Sequence, residues 1–244
     1  YLYFAGLTAG NPKRKDALKS VPCVFRVPLD TRGPAEVFLG KLDAPGTAEK
    51  LLSAPRGLAV ANGLVYVADS DANRIAVFSE RDRSLTGEIK VKAPDSLGVD
   101  PASGAVYVCS TANKKVPELV KFESVKTGAE LQRLALPSYK YADENGVPHR
   151  IAVDASSKPV RIWVNSVPYS GVQLQAIDDV DTRFVSRGDP RSEEPWAEGP
   201  RDITYDRVRG EIYVKSGLQK WYRLDEKTGK VTYEFRPAGI TSRP

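Results

Sequence analysis

Leu64-Val-Tyr-Val-Ala-Asp-Ser-Asp-Ala-Asn-Arg-Ile-Ala-Val-Phe78 reads as two short strands joined by a polar turn. Its ends are β-branched and aromatic, which suits a pleated, packed surface. Its centre, Asp-Ser-Asp-Ala-Asn, is turn chemistry. Asn62-Gly63 stands directly before it, the dipeptide that closes a two-residue hairpin. The pattern then recurs. Ser103-Gly104-Ala-Val-Tyr-Val and Arg209-Gly210-Glu-Ile-Tyr-Val repeat turn and strand, and Lys158-Pro159-Val-Arg-Ile-Trp-Val is a looser copy. Val65, Val106, Ile162 and Ile212 follow one another at 41, 56 and 50 residues. A four-stranded propeller blade needs about 40–45 residues or a little more.

The remainder of each unit repeats too. Pro55-Arg-Gly-Leu-Ala-Val, Pro94-Asp-Ser-Leu-Gly-Val, Pro148-His-Arg-Ile-Ala-Val and Pro200-Arg-Asp-Ile-Thr-Tyr each open with proline and a short apolar strand. Proline suits a strand's first position because it has no ladder donor to lose. Third strands follow at Ile75-Ala-Val-Phe, Glu118-Leu-Val-Lys-Phe, Val172-Gln-Leu-Gln-Ala-Ile and Trp221-Tyr-Arg-Leu. Thr86-Gly87, Thr127-Gly128 and Thr228-Gly229 are expected to turn the chain into an outer, more polar strand. The expectation is an all-β protein of four-stranded antiparallel propeller blades, full at 55–93, 94–137, 148–188 and 200–235. A partial blade at 1–40 lacks its opening strand, and 237–244 imitates such a strand. The whole of 1–244 then forms one propeller domain or fragment, as a five-bladed closure or as part of a six- or seven-bladed ring. Radial arrangement removes the sheet edges that invite aggregation.

The Leu64–Phe78 phrase resembles the consensus of NHL repeats, and the resemblance is clearest over 55–137. It implies the fold of NHL-type propellers and brings no activity with it, because the motif is structural. NHL-like amidating lyases and streptogramin lyases rely on several histidines, whereas this chain has a single one, His149.

Composition narrows the function classes. The chain has 244 residues, 41% hydrophobic and 27% charged, as in globular domains. No apolar run approaches the roughly 18 residues of a membrane span, and no basic-led signal segment opens the chain. The absence of an initiator Met is read as trimming. Lys+Arg exceed Asp+Glu by 36 to 31, giving +5. The one dense basic run, Lys13-Arg14-Lys15, reads as a solvated loop, so nucleic acid is not the expected partner. Cys23 and Cys109 sit in apolar strand runs and read as buried free thiols. The compartment stays open, with a secreted or periplasmic setting preferred.

Candidate binding residues come from the repeat map. Arg56, Asp95, His149, Arg150, Arg201 and Asp202 fall at the leading ends of inner strands. Asn73, Asn113 and Tyr169 fall in loops joining second and third strands. Arginines gathered there would suit a carboxylate or phosphate, since the guanidinium fork binds such groups bidentately. The competing reading is that they pair with Asp95 and Asp202 and fasten blades together. The expected function is a non-catalytic binding or scaffold propeller that engages a protein partner or anionic ligand on this face, without a cofactor. Two alternatives are weighed beside it. One is a metal-dependent hydrolase of the lactonase-like kind, with Asn165 and Asp154 cast as metal-site residues; the other is RNA binding on the same face. Asp69, Asp71 and Asn73 imitate part of a Ca2+ loop, but Arg74 stands where such a loop needs Gly.

Overall fold

Asn62 and Gly63 both take positive φ, 51° and 70°, the backbone of a type I′ hairpin turn. They join β4 (Pro55–Ala61) to β5 (Leu64–Asp69), and β6 (Arg74–Ser79) and β7 (Leu85–Lys90) complete that sheet. The computed structural model describes residues 1–5, 21–30, 33–48, 50–113, 116–136, 149–166, 173–187, 200–206, 208–216, 220–225 and 231–235. Three further sheets follow the same up-and-down order. They are β8 (Pro94–Val99), β9 (Val106–Ser110), β10 (Glu118–Phe122) and β11 (Glu130–Ala135); β12 (His149–Asp154), β13 (Val160–Ser166), β14 (Gln173–Val180) and β15 (Arg183–Ser186); and β16 (Pro200–Asp206), β17 (Glu211–Ser216), β18 (Trp221–Leu224) and β19 (Val231–Phe235). Ahead of them β1 (Leu2–Ala5), β2 (Cys23–Val27) and β3 (Glu36–Gly40) form a three-stranded sheet. The chain is therefore all-β, built from antiparallel propeller blades. Tyr66, Tyr107, Trp163 and Tyr213 occupy the second strand of their sheets, as the repeat predicts. Residues 237–244 and the run Lys13-Arg14-Lys15 lie outside the described residues.

The chain divides into two compact units, Tyr1–Ala112 with Phe122–Ala129, and Asn113–Lys121 with Glu130–Pro244. In the first, Val24, Phe38 and Leu39 pack against Val65, Val67, Ala76 and Phe78, face to face between neighbouring sheets. In the second, Ala152, Trp163 and Ala176 pack against Ile203, Ile212, Val214 and Leu224. Cys23 and Cys109 are buried free thiols, and burial pushes the Cys23 thiol up.

One turn lies elsewhere than expected. Thr86-Gly87 falls inside β7, with Gly87 paired to Val77, and the chain reverses over Ser79–Ser84 instead. Asp82 accepts from both the backbone N–H and the hydroxyl of Ser84, and Arg83 takes φ 63°. Gly87 is glycine for space: a Cβ there would lie 2.9 Å from a Val125 methyl. The Thr127-Gly128 turn is where the repeat puts it, with Gly128 at φ 59°. Thr228-Gly229 lies outside the described residues.

Candidate functional site

Each inner strand begins at a proline or directly after one, and three of them then leave the ladder. Pro55 sits opposite Asp69, Pro94 opposite Ser110 and Pro200 opposite Ser216, and the register slips just beyond each proline. The slip is a β-bulge, which a donor-less proline at the strand end tolerates, and a bulge re-aims the residues it frees. Arg56, Asp95 and Arg201 are the residues freed. The fourth inner strand runs in register, with His149 opposite Ser166 and Arg150 opposite Asn165. The aligned positions of the sequence are thus equivalent in the backbone, although only three of the four strands are bulged.

Side chains decide what these positions do. The Arg56 guanidinium donates to Asp95 at 3.4 Å; Arg56 is half exposed and Asp95 is 2% exposed. The pair bridges neighbouring inner strands, which is the fastening role weighed against ligand binding. Arg150 is half-buried. The side chains of His149 and Arg201 lie outside the described residues, as does Tyr169. Asn113 is exposed in the loop between β9 and β10.

The polar residues of the Leu64–Phe78 phrase are joints. Asp69 is fully buried, and one carboxylate oxygen accepts from the backbone N–H groups of Ser53 and Ala54 at 2.9 and 2.8 Å. Its other oxygen accepts from Arg74 at 3.4 Å, and Arg74 donates onward to the carbonyls of Thr47 and Leu51 and to Glu88. Asn73, at φ 53°, accepts from the Val91 N–H with its carbonyl and from the Ala93 N–H with its side chain. Asp69 therefore fixes the approach to Pro55, and Asn73 fixes the approach to Pro94. Asn73 is exposed in the loop joining β5 to β6, where the repeat map puts it, and it also braces the chain ahead of Pro94.

The residues cast for a divalent ion are held apart. Asp154 pairs with Arg161 at one end of the β12–β13 ladder, and Asn165 pairs with Arg150 towards the other. At about 3.3 Å per residue, the four steps between Arg161 and Asn165 span roughly 13 Å. Asp154 is also committed to its own turn, accepting from the Ser156 backbone and hydroxyl at 2.9 and 2.7 Å and from the Ser157 backbone at 3.2 Å.

Two acidic hubs were not anticipated. Buried Asp178 accepts from Arg161 at 2.8 Å and Arg187 at 2.6 Å. Burial pushes its carboxyl up, but the hydrogen bonds and charges of both arginines outweigh this and hold it below the usual range. Asp179 meets Lys121 at 2.6 Å and Gln132. Also missed was a half-buried face of the fifth sheet carrying Tyr213, Lys215, Trp221, Arg223, Tyr233 and Phe235, of which Tyr233 is exposed. The in-phase alternation of these residues along three strands is the sequence signal that marks this face.

The NHL-repeat family model matches residues 52–78, the sheet and joints just described. This chain is an NHL-like β-propeller. Among solved structures, the propeller is similar to a chain of the nidogen/laminin complex, with TM-score 0.58 and 18% identity over 89% of this chain and 73% of that one. It is also similar to the β-propeller domain of Cps50 (Swd1) from Myceliophteria thermophila, with TM-score 0.52 and 9% identity over 75% of this chain and 55% of that one. At such identities the likeness is one of fold. No curated sequence matches the propeller.

Proposed function

We propose that this NHL-like propeller is a non-catalytic binding module that engages a protein partner through the leading ends of its inner strands. The observation that carries the reading is the repeated proline and bulge, which turns the residues after Pro55, Pro94 and Pro200 out of the ladder. Positions released from strand pairing vary without cost to the sheet, and here they hold Arg56, Asp95 and Arg201, with His149 and Arg150 at the matching place in β12. The fold is a protein-interaction type of domain, and one solved chain it resembles belongs to a nidogen/laminin complex. Within the second unit, the docking residues of the proposal are His149, Arg150 and Arg201, on inner strands that lie side by side. In the first unit, Arg56 offers the half of its surface that Asp95 leaves exposed, and Asn73 belongs to a loop proposed as rim; Asn113 and Tyr169 belong to the rim loops proposed in the second.

The test selects peptides from a displayed library on the wild-type protein and measures one of them against Arg150→Ala/Arg201→Ala. Loss of charge-assisted contacts is expected to weaken binding by about 2–5 kcal/mol with the melting temperature unchanged. Arg56→Ala should in addition lower the melt, because it takes the guanidinium away from buried Asp95. Unchanged affinity with a lowered melt in the double variant would assign those arginines to fastening alone.

A further inference from the structure

The fifth sheet has two faces of different character. Ile203, Ile212, Val214 and Leu224 enter the core with Trp163. The opposite face carries two cross-strand rows, Tyr213–Arg223–Tyr233 and Lys215–Trp221–Phe235. Paired residues share a face, so all six stand together. Phe235 gathers the rings, lying 6.0 Å from Tyr213, 6.5 Å from Trp221 and 5.9 Å from Tyr233. Lys215 lies 6.0 Å from the Trp221 ring and Arg223 5.8 Å from that of Tyr233.

Comparison along the repeat shows that this face is unusual. In the three preceding four-stranded sheets the equivalents of Tyr213 are Tyr66, Tyr107 and Trp163, and those of Lys215 are Ala68, Cys109 and Asn165. All six of those residues are buried, none above 4% exposed. In the fifth sheet Tyr213 and Lys215 are half-buried, and Tyr233 is 57% exposed. An ammonium placed at the dry Ala68 or Cys109 position without a counter-charge would carry a prohibitive desolvation cost. The fifth sheet's face therefore carries a cation at a place that is dry in its equivalents.

We infer that this face docks a short acidic protein segment in which a carboxylate lies beside an aromatic or apolar side chain. The charge pattern selects that occupant. Arg223 is neutralised by Glu211 at 2.9 Å, whereas Lys215 has no ion pair among the described residues. Among the described residues the face therefore offers one cation without an ion pair, 6.0 Å from the Trp221 ring. Tryptophan, tyrosine and arginine are the residues that dominate protein interfaces energetically. A nucleic-acid strand, which draws its affinity from neutralising many phosphates, finds a single spare cation with Glu211 beside it. The inference goes beyond the strand-end proposal and shares no residue with it.

Fluorescence anisotropy with a short, end-blocked peptide alternating Asp with Tyr tests the idea, with Asn-for-Asp and Lys-for-Asp versions as controls. The wild-type protein should bind the acidic peptide in preference to both. Lys215→Glu, at a half-exposed position, should keep the wild-type melt and shift preference to the basic peptide. Trp221→Ala should weaken the acidic peptide by about tenfold, or roughly 1.4 kcal/mol. Arg150→Ala/Arg201→Ala should leave this binding intact, so failure of one proposal is distinguishable from failure of the other. Equal binding of all three peptides, an unchanged preference in Lys215→Glu, or tighter binding of oligo-dT would overturn the inference. So would concentration-dependent dimerisation lost on Lys215→Glu, which would make a second copy the occupant.

Discussion

Gly57 shows how little freedom the inner strands leave. A Cβ there would sit 2.7 Å from the Asp95 carbonyl oxygen and 2.8 Å from the Ser96 Cα, both backbone atoms of the neighbouring inner strand. Gly57→Ala should therefore cost about 1–3 kcal/mol or more, because two strands must separate rather than one side chain rotate. At about 2–4 °C per kcal/mol for a chain of this size, a thermal melt resolves that loss. Gly63 is the useful contrast: nothing lies within 4 Å of its Cβ position, but its φ of 70° disfavours alanine. Gly63→Ala should lose only about 1–2 kcal/mol, and Gly63→Asn should recover part of it. Asp69 is more demanding. Asp69→Ala leaves the Ser53 and Ala54 donors without their acceptor and Arg74 with Glu88 as its remaining acidic partner, a loss expected at about 2–4 kcal/mol in urea unfolding. A loss below about 1 kcal/mol would mean that water replaces the carboxylate and that the joint is not structural.

Among the elements, burial ranks the strands. The residues of β5 and β6 are nearly all buried, and β6 is flanked by β5 and β7 on its two edges. The outer strand β7 alternates buried and exposed residues along one free edge. Hydrogen exchange should accordingly be slowest in β5, β6 and β9 and markedly faster in β7 and β11, since opening an outer strand exposes little apolar surface. Amides of β11 exchanging as slowly as those of β9 would show that the outer strand opens only with the whole sheet.

For the whole molecule, titration sets the stability profile. Hydrogen bonds from Ser84 lower the Asp82 carboxyl to about 2, and Asp178, Asp206, Glu36 and Glu130 are also held below their ordinary values by their partners. A carboxyl depressed in the folded state stabilises it above the unfolded value of about 4, and that contribution disappears as pH falls towards 2. Tyr3 works at the other end. Burial, then its hydrogen bond to Glu80 at 2.8 Å, push its hydroxyl up to about 12. The folded state keeps that proton longer than the unfolded chain, so its contribution is whole below about pH 10 and is lost between about 10 and 12. Urea midpoints measured across pH should show both limbs, and Tyr3→Phe should flatten the alkaline one. An alkaline limb unchanged in Tyr3→Phe would assign it to other groups.

The amino-acid order alone determined the strands, their sequence in each sheet and the equivalence of Tyr66, Tyr107, Trp163 and Tyr213. Alternating apolar residues and positive-φ turn dipeptides act over a few neighbouring positions, so they are written contiguously in the chain. It also aligned Arg56, Asp95, His149 and Arg201 at one place in successive strands. Tertiary structure decided the rest. Two turn signals stand close together before Glu88, and the register of β6 against β7 chose Ser79–Ser84 and left Gly87 in the strand. The bulges after Pro55, Pro94 and Pro200, the Arg56–Asp95 pair and the separation of Asn165 from Asp154 all depend on where a second strand lies. Asp69 imitates part of a Ca2+ loop in the sequence, where Arg74 already argues against one, and it serves as a joint in the fold because its donors arrive with Ser53 and Ala54 from another loop. A side chain's role follows from what reaches it across space, and local pattern carries no record of that distance.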